Sequence, residues 1–316
     1  NGAMNVAQRS TSETALGADT QTYRTVDRWK ILVGNTAGRF TMTQDSSAPS
    51  GFANSTKFAC TTADTSIASG EYFIFRQIIE GQNLQGFAKG TSDAKPFAVS
   101  FYVKGNASAT YNCVLGDQDN TRQSVRQFTV GTDWSRVELT FPADTTGAFD
   151  DDSAGSLEFE IYLHAGSDST SGSLNENVWE ARDFTKQASG ISSFFDSTDR
   201  TFFITGVQLE VGQNPTTFEH EPFERTLEKC QRYFQKVAFN IQGYPGGSNY
   251  AHNGFQNTTK MRATPTSGVS NGSMTNNAGS TGVYNLTDSG GRVEITASGS
   301  GRLYNLGGVL DLSSEL

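Results

Sequence analysis

Long hydrophobic runs are missing from this 316-residue chain, and with them any membrane-spanning helix: no apolar stretch approaches the ~18 residues that a span needs. Cysteine is scarce. Cys60, Cys113 and Cys230 form an odd, scattered set without CxxC spacing, too few for a disulfide framework. Such thiols point to the reduced state and to assembly inside a cell, and as small buried apolar residues they need no further role. Histidine is as rare: His164, His220 and His252 sit in separate segments, none with metal-ligand spacing. No GxSxG, HExxH or Gly-rich phosphate loop is present, and no signal-peptide pattern is visible from Asn1 onward. Charge is also sparse, at 18 % of residues, and an excess of basic residues is lacking. The net charge is −9, and it is uneven. Thr226 to Leu316 carries 7 Lys or Arg against 5 Asp or Glu, so the segment before it carries 17 against 28. An acidic domain of this kind is repelled by phosphate backbones and by anionic lipid surfaces, which argues against nucleic acid and membrane insertion as partners.

What fills the chain is Ser, Thr, Gly and Asn between short apolar runs, with Phe abundant at 22 copies. Many runs alternate. Phe97, Val99, Phe101 and Val103 share one face of a period-two pattern, as do Val137, Leu139 and Phe141, and again Leu157, Phe159, Ile161 and Leu163. Tyr72 to Glu80 is apolar on both faces, which predicts deeper cover. Tyr111 to Leu115 and Ser124 to Val130 are weaker strands, and turns such as Gly116 to Asn120 separate the runs. One-sided strands with no helices between them predict an all-β protein: an antiparallel jelly-roll sandwich of two face-to-face sheets. Gly34 to Thr56 and Gly166 to Asp199 read as long loops over the sheet ends.

The pattern changes near residue 212. Phe203, Val207, Leu209 and Val211 continue a strand that Gly212, Asn214 and Pro215 stop. After Pro222, Leu227, Cys230 and Phe234 recur at three and four residues, which predicts a short helix. Beyond Lys236 the chain turns Gly/Asn/Ser/Thr-rich with spaced aromatics. The expected organisation is a jelly-roll domain over 1–222, a helical connector over 223–237 and a small C-terminal β-domain over 238–316. The last unit has few large aliphatics and a thin core, so self-association through it is expected. The helix is too short for a coiled-coil seam of its own and reads mainly as a linker.

Several segments together carry a family resemblance. They are Asn1 to Ser12 with Tyr23 and Asp27-Arg28-Trp29, Ile79 to Asn83, and Lys95-Pro96 leading into Ser100 to Lys104. Ile204 to Gly212, Thr217-Phe218-Glu219, Cys230 to Phe234 and the closing Ser313 to Leu316 complete the set. In combination they resemble a family of tailed-phage virion proteins common in marine phages. The resemblance implies a structural or tail-fibre protein of the virion, assembled in the host cytoplasm, whose first domain is a carbohydrate-binding-module-like jelly roll. A capsid decoration (knob) position is the alternative it leaves open. It also implies a homotrimer in contact with other virion proteins and with host surface polysaccharide.

Candidate sites follow from strand parity. Opposite the apolar faces lie Tyr102 and Lys104; Trp134, Arg136 and Glu138; and Glu158, Glu160 and Tyr162. If these strands are neighbours, three aromatics among polar groups form a glycan-binding surface, because pyranose faces stack on rings while hydroxyls take hydrogen bonds. The alternative is an ordinary solvent face or a subunit contact. Trp179, in a long polar loop, is a further glycan candidate, whereas Trp29 is expected in the core. Asp150, Asp151 and Asp152, with Asp144 nearby, offer the oxygens a structural calcium needs, and modules of the resembled kind often hold one; a solvated acidic turn is the plainer reading. Catalysis is poorly supported. A carboxylate-pair polysaccharide hydrolase remains possible by residue type, but the repetitive β-helix that phage depolymerases use is not in the sequence.

Overall fold

The computed structural model describes residues 1–244, 250–275, 278–299 and 301–316. It divides into two units, one of Asn1–Glu221 with Leu316 and one of Pro222–Glu315.

The first unit begins with β1 (Ser12–Gly17), β2 (Gln21–Tyr23), β3 (Lys30–Gly34), β4 (Arg39–Asp45), β5 (Ser55–Thr62) and β6 (Tyr72–Glu80). It continues with β7 (Phe97–Gly105), β8 (Ala109–Asp117), β9 (Arg122–Val130), β10 (Ser135–Phe141), β11 (Gly155–Ala165), β12 (Glu180–Ala181) and β13 (Thr201–Val211). They form a six-stranded sheet in the order β1-β4-β5-β13-β7-β10 and a seven-stranded sheet in the order β12-β9-β8-β11-β6-β3-β2. Named pairs in both sheets are antiparallel. The architecture is the expected jelly-roll-type sandwich.

Alternation decides which side of each strand is dry. Phe97, Val99, Phe101 and Val103 from one sheet meet Phe73, Phe75, Leu157, Phe159, Ile161 and Leu163 from the other in a single core. The rings interlock: Phe58 stands edge-on to Phe73 and Phe75 at 5.3 and 5.2 Å, and Trp29 stacks on Phe75 at 4.6 Å. Each buried Phe removes enough apolar surface to contribute roughly 1.5–3 kcal/mol, so the phenylalanines are the largest single group of stabilising residues here. Trp29 is fully buried, as expected of a core residue.

One expected loop is a strand. Gly34 to Thr56 holds β4, a member of the six-stranded sheet that pairs with both β1 and β5. Only Phe40 and Met42 of β4 are fully buried, and its RFTMTQD sequence dilutes the apolar alternation that made other strands visible. The other long segment, Gly166 to Asp199, does run outside the sheets apart from the short β12; Leu174, Ala188 and Ile191 pack on the outer side of the seven-stranded sheet with Leu32, Ile74 and Tyr162, while Phe194 and Phe195 turn into the core.

β13 carries an irregularity that matters for the surface. Its pairing with β7 slips between Thr205 and Gln208, and Gly206 there has φ +63°. A Cβ at Gly206 would come within 2.7 Å of Phe52 and 2.9 Å of Tyr102, so only glycine lets those rings close over the bulge.

The second unit opens with the helix Phe223–Gln231 and continues with β14 (Phe234–Gly243), β15 (Tyr250–Gln256), β16 (Thr266–Ser270), β17 (Ser273–Met274), β18 (Ala278–Thr287), β19 (Gly290–Ala297) and β20 (Leu303–Ser313). β14, β20 and β16 make one sheet with β17 on β20, and β15, β19 and β18 make another. The connector expected over 223–237 is thus not all helical: Phe234 to Val237 already belong to β14, with Phe234 paired to Ser313. Phe234 fits both the helical spacing and the strand alternation that follows, and the sheet contact claims it. The small core comprises Phe239, Ile241, Met261, Val293, Ile295, Leu303, Leu310 and Leu312. No helix among the described residues is long and apolar enough to cross a membrane.

Candidate glycan-binding cleft

The sequence-derived glycan residues do not share a face. Tyr102, Trp134, Arg136 and Glu138 belong to the outer side of the six-stranded sheet, where β10 pairs with β7. Glu160 and Tyr162 lie on β11, on the outer side of the seven-stranded sheet. The expected single surface is therefore split across opposite sides of the sandwich. Parity alone gives inside from outside; it does not say which of two sheets a strand joins.

Much of the first group is also covered. The segment after β13 folds back as a strap over the sheet. Thr140 donates to the Gln213 carbonyl at 2.5 Å, Arg136 donates to the Thr216 carbonyl, and the Glu219 amide donates to Gln208 at 2.7 Å. Phe52 sits against Tyr102 at 5.3 Å and Phe218 at 5.0 Å. Trp134 stays half-exposed beside Phe203.

Trp179 is packed rather than presented. Its indole N–H donates to the Pro142 carbonyl at 2.8 Å, and its ring lies 5.4 Å from Phe97 at the rim of the core. The acidic turn does not assemble a cation site. Asp144 is paired with Arg122 at 2.7 Å and Lys89 at 3.2 Å. Asp152 accepts from the Ala154 amide within its own turn. No group of three or more His, Cys, Asp or Glu among the described residues converges as a metal-ligand set. Asp150, Asp151 and Asp152 thus do not form by side chains alone the ligand set of the structural calcium that the resemblance implies.

An opening lined by several aromatic rings lies on the outer side of the seven-stranded sheet. Tyr72, Ile74 and Arg76 alternate outward along β6; Leu32 of β3, Tyr162 of β11 and Gln21 of β2 flank them. The long Gly166 to Asp199 segment supplies a wall through Ser169 and Phe184, enclosing about 280 Å³. Phe184 is 61 % exposed, and the Arg182 guanidinium lies 5.5 Å from its ring centre. The Gln21 amide donates to the Tyr72 hydroxyl at 2.7 Å.

Beneath the cleft sits a four-membered charge network. Arg76 donates from Nε to Glu160 at 2.7 Å and pairs through Nη1 with Glu158 at 2.8 Å. Arg182 donates to the other oxygen of Glu158, and Gln118 donates to Glu158 at 2.9 Å. Gly116 makes this possible, because a Cβ there would lie 2.4 Å from the Arg182 guanidinium. Glu160 is fully buried, and burial raises its carboxyl above the usual range; Arg76 pulls it down, Glu158 pushes it up and Arg182 pulls it down. Two guanidinium and two carboxylate groups cancel, so the floor presents little net charge. The same pairing ties up the carboxylates nearest the opening, where a glycosidase needs one free acid and one free base or nucleophile.

Amide side chains fasten the wall. The Tyr162 hydroxyl donates to Gln187 at 2.5 Å, Gln187 donates to Gln123 at 3.0 Å, and Asn112 donates to the Gln187 and Ser189 carbonyls at 3.1 Å. Tyr162 is therefore a buried strut of the wall. At the far end His164 bridges Glu71 at 2.9 Å and Ser193 at 2.8 Å. Burial lowers the His164 pKa below its ordinary 6.5, against the opposing pull of Glu71 and Asp64. A histidine depressed in the folded state binds fewer protons than the unfolded chain below that value, so stability is full above pH 6.5 and falls with acidification until the folded group also titrates. The melting temperature is expected to drop as pH falls from about 6.5, with a shallower drop in His164→Gln; parallel curves for the two proteins would contradict this.

Phe184 was missed at the sequence level, although Trp179, five residues away in the same segment, was singled out. Both are aromatics in polar surroundings. The larger ring with an N–H to satisfy went inward, and the smaller one stayed out.

No family model matches the chain, and no curated protein matches it. Solved structures do. A CBM4 structure aligns at 10 % identity with a TM-score of 0.33, covering 68 % of this chain and 98 % of the other. A family 11 carbohydrate-binding module from Clostridium thermocellum, in complex with a β-1,3-1,4-mixed-linked tetrasaccharide, aligns at 13 % identity and TM-score 0.31, covering 67 % and 99 %. The enzymatically active domain of bacteriophage CBA120 tailspike protein 4 aligns at 13 % identity and TM-score 0.33, covering 63 % of this chain and 21 % of that one.

Proposed function

We propose that this is a non-enzymatic glycan-binding protein of a phage virion, most simply a tail fibre or similar appendage, and that the cleft over β6 holds the sugar. The observation that carries the binding assignment is Phe184, an exposed ring at the mouth of a cleft of mixed polar and apolar lining, about 280 Å³ in volume. A pyranose face stacks on such a ring. Gln21, Tyr72 and Ser169 supply hydroxyl and amide hydrogen-bonding groups, and the self-neutralised floor suits an uncharged sugar. The virion context is supported by the residue matches set out above, over most of Asn1 to Gln235 and at Ser313 to Leu316.

Single-site sugar contacts are weak, and several copies on one particle multiply them. The thin core of the second unit supports self-association, with a homotrimer as the expected state. A glycan array probed with the purified full chain tests the binding reading: retention on neutral host-type polysaccharides is expected, and no retention on any glycan would contradict it. Labelling the protein on intact particles tests its place. Signal on the tail is expected, whereas signal over the capsid shell would favour a decoration protein.

A further inference from the structure

The opposite side of the sandwich carries a second feature that the cleft does not use. At the end of the six-stranded sheet left open by the strap, cross-strand register sets four side chains in a row. Phe203 of β13 faces Lys57 of β5 on one side and Lys104 of β7 on the other. Ser135 pairs with Val103, which brings the preceding Trp134 next to Lys104. The contacts agree with the register: the Lys57 and Lys104 ammonium groups lie 5.3 and 5.9 Å from the Phe203 ring centre, and the Trp134 ring lies 6.0 Å from it.

This row is unusual for its surroundings. The unit is strongly acidic, yet two ammonium groups share one ring. Asp45 offsets Lys57 at 3.5 Å, but Lys104 has no ion pair among the described residues. Neither the Lys104 ammonium nor the Trp134 indole N–H has an acceptor among the described residues. Every uncommitted polar group in the row is a donor, and the half-exposed Trp134 ring beside them offers an apolar surface, while Phe203 is buried beneath. With Lys57 offset by Asp45, the row keeps one unbalanced ammonium, that of Lys104, which favours an anion. A flat ring beside that anion favours a ligand with an apolar face, as a pyranose has.

We infer that Lys57, Phe203, Lys104 and Trp134 form a second ligand site, which binds the carboxylate of an acidic sugar residue. The site is separate from the cleft and does not depend on the cleft reading. Lys104 supplies the unbalanced charge, Trp134 a hydrogen bond and a stacking surface, and Phe203 holds the ammonium groups in place.

The test titrates the full-length protein with an oligouronate tetrasaccharide and with its carboxyl-reduced, neutral counterpart, following tryptophan fluorescence. The oligouronate is expected to bind at least about tenfold more tightly than the neutral form, as charge-assisted contacts require. Lys104→Gln should weaken oligouronate binding by about tenfold, and Trp134→Leu should weaken it and remove the fluorescence change. Phe184→Ala should leave it unchanged. Absence of oligouronate binding, equal affinity for both sugars, or no effect of Lys104→Gln overturns the site. A loss in Phe184→Ala equal to that in Lys104→Gln places the anion in the cleft and also overturns it. Competition by polyglutamate at equal carboxylate concentration overturns the sugar assignment. Neutral-glycan binding by the array remains a separate readout, so the two sites fail or stand independently.

Discussion

Replacing Lys89 by Met is expected to destabilise the first unit by about 3–5 kcal/mol, the cost of removing one partner from a buried charge cluster. The Lys89 side chain has no solvent exposure. Its ammonium lies 2.5 Å from Asp117 and 3.2 Å from Asp144, and it donates to the Thr146 and Gly147 carbonyls at 2.9 and 2.7 Å. The rings of Phe149 and Trp179 close around it at 5.2 and 5.4 Å. Methionine fills the same volume and keeps the apolar contacts, so the loss isolates the charge. Asp117 retains Asn120 and Asp144 retains Arg122, which keeps the cost below that of two stranded carboxylates. Thermal melting should show a fall of roughly 6–20 °C for a unit of this size. A change under 2 °C would mean that the cluster contributes nothing net.

Arg76→Met is expected to cost about as much, again roughly 3–5 kcal/mol, because it leaves buried Glu160 without its strongest partner. Glu160 already has one oxygen, 3.8 Å from Arg182, that accepts no hydrogen bond. The double variant Arg76→Met/Glu160→Gln should recover much of the loss, since a neutral amide tolerates burial better than a lone carboxylate. Chemical denaturation of the four proteins of this cycle gives the coupling directly. Additive effects of the two substitutions would show that Arg76 and Glu160 do not act as a pair. Arg76 also floors the cleft, so sugar binding should fall in the single variant.

How far the sequence alone led can be judged residue by residue. The alternation of Phe97 to Val103 and of Leu157 to Leu163 was enough to set their inward faces, because burial of large apolar side chains enforces period two. β4 escaped notice because its alternation is built on only two buried residues, Phe40 and Met42. The candidate site was legible in part. Outward parity reached Glu160 and Tyr162 of the cleft and its floor, but it grouped them with Tyr102, Trp134 and Arg136, because it could not assign β10 and β11 to different sheets. That assignment depends on long-range pairing, such as Arg136 with Tyr102 and Glu160 with Arg76. Arg76, Tyr72 and Gln21 were invisible as site residues because each is an ordinary member of its strand until the Gly166 to Asp199 segment folds over them. The strap over Arg136 was equally hidden, since nothing in residues 213 to 219 specifies which sheet face they cross.

The central claim is that this sandwich binds sugar through the cleft walled by Phe184. Its most direct test is titration of the array-identified neutral oligosaccharide into the wild-type chain and into Phe184→Ala, with melting curves recorded for both. Affinity should fall by about tenfold or more, as loss of a stacking anchor requires, while the melting temperature stays unchanged because the ring contributes little to the core. Equal affinities for the two proteins would place the sugar elsewhere and contradict the account.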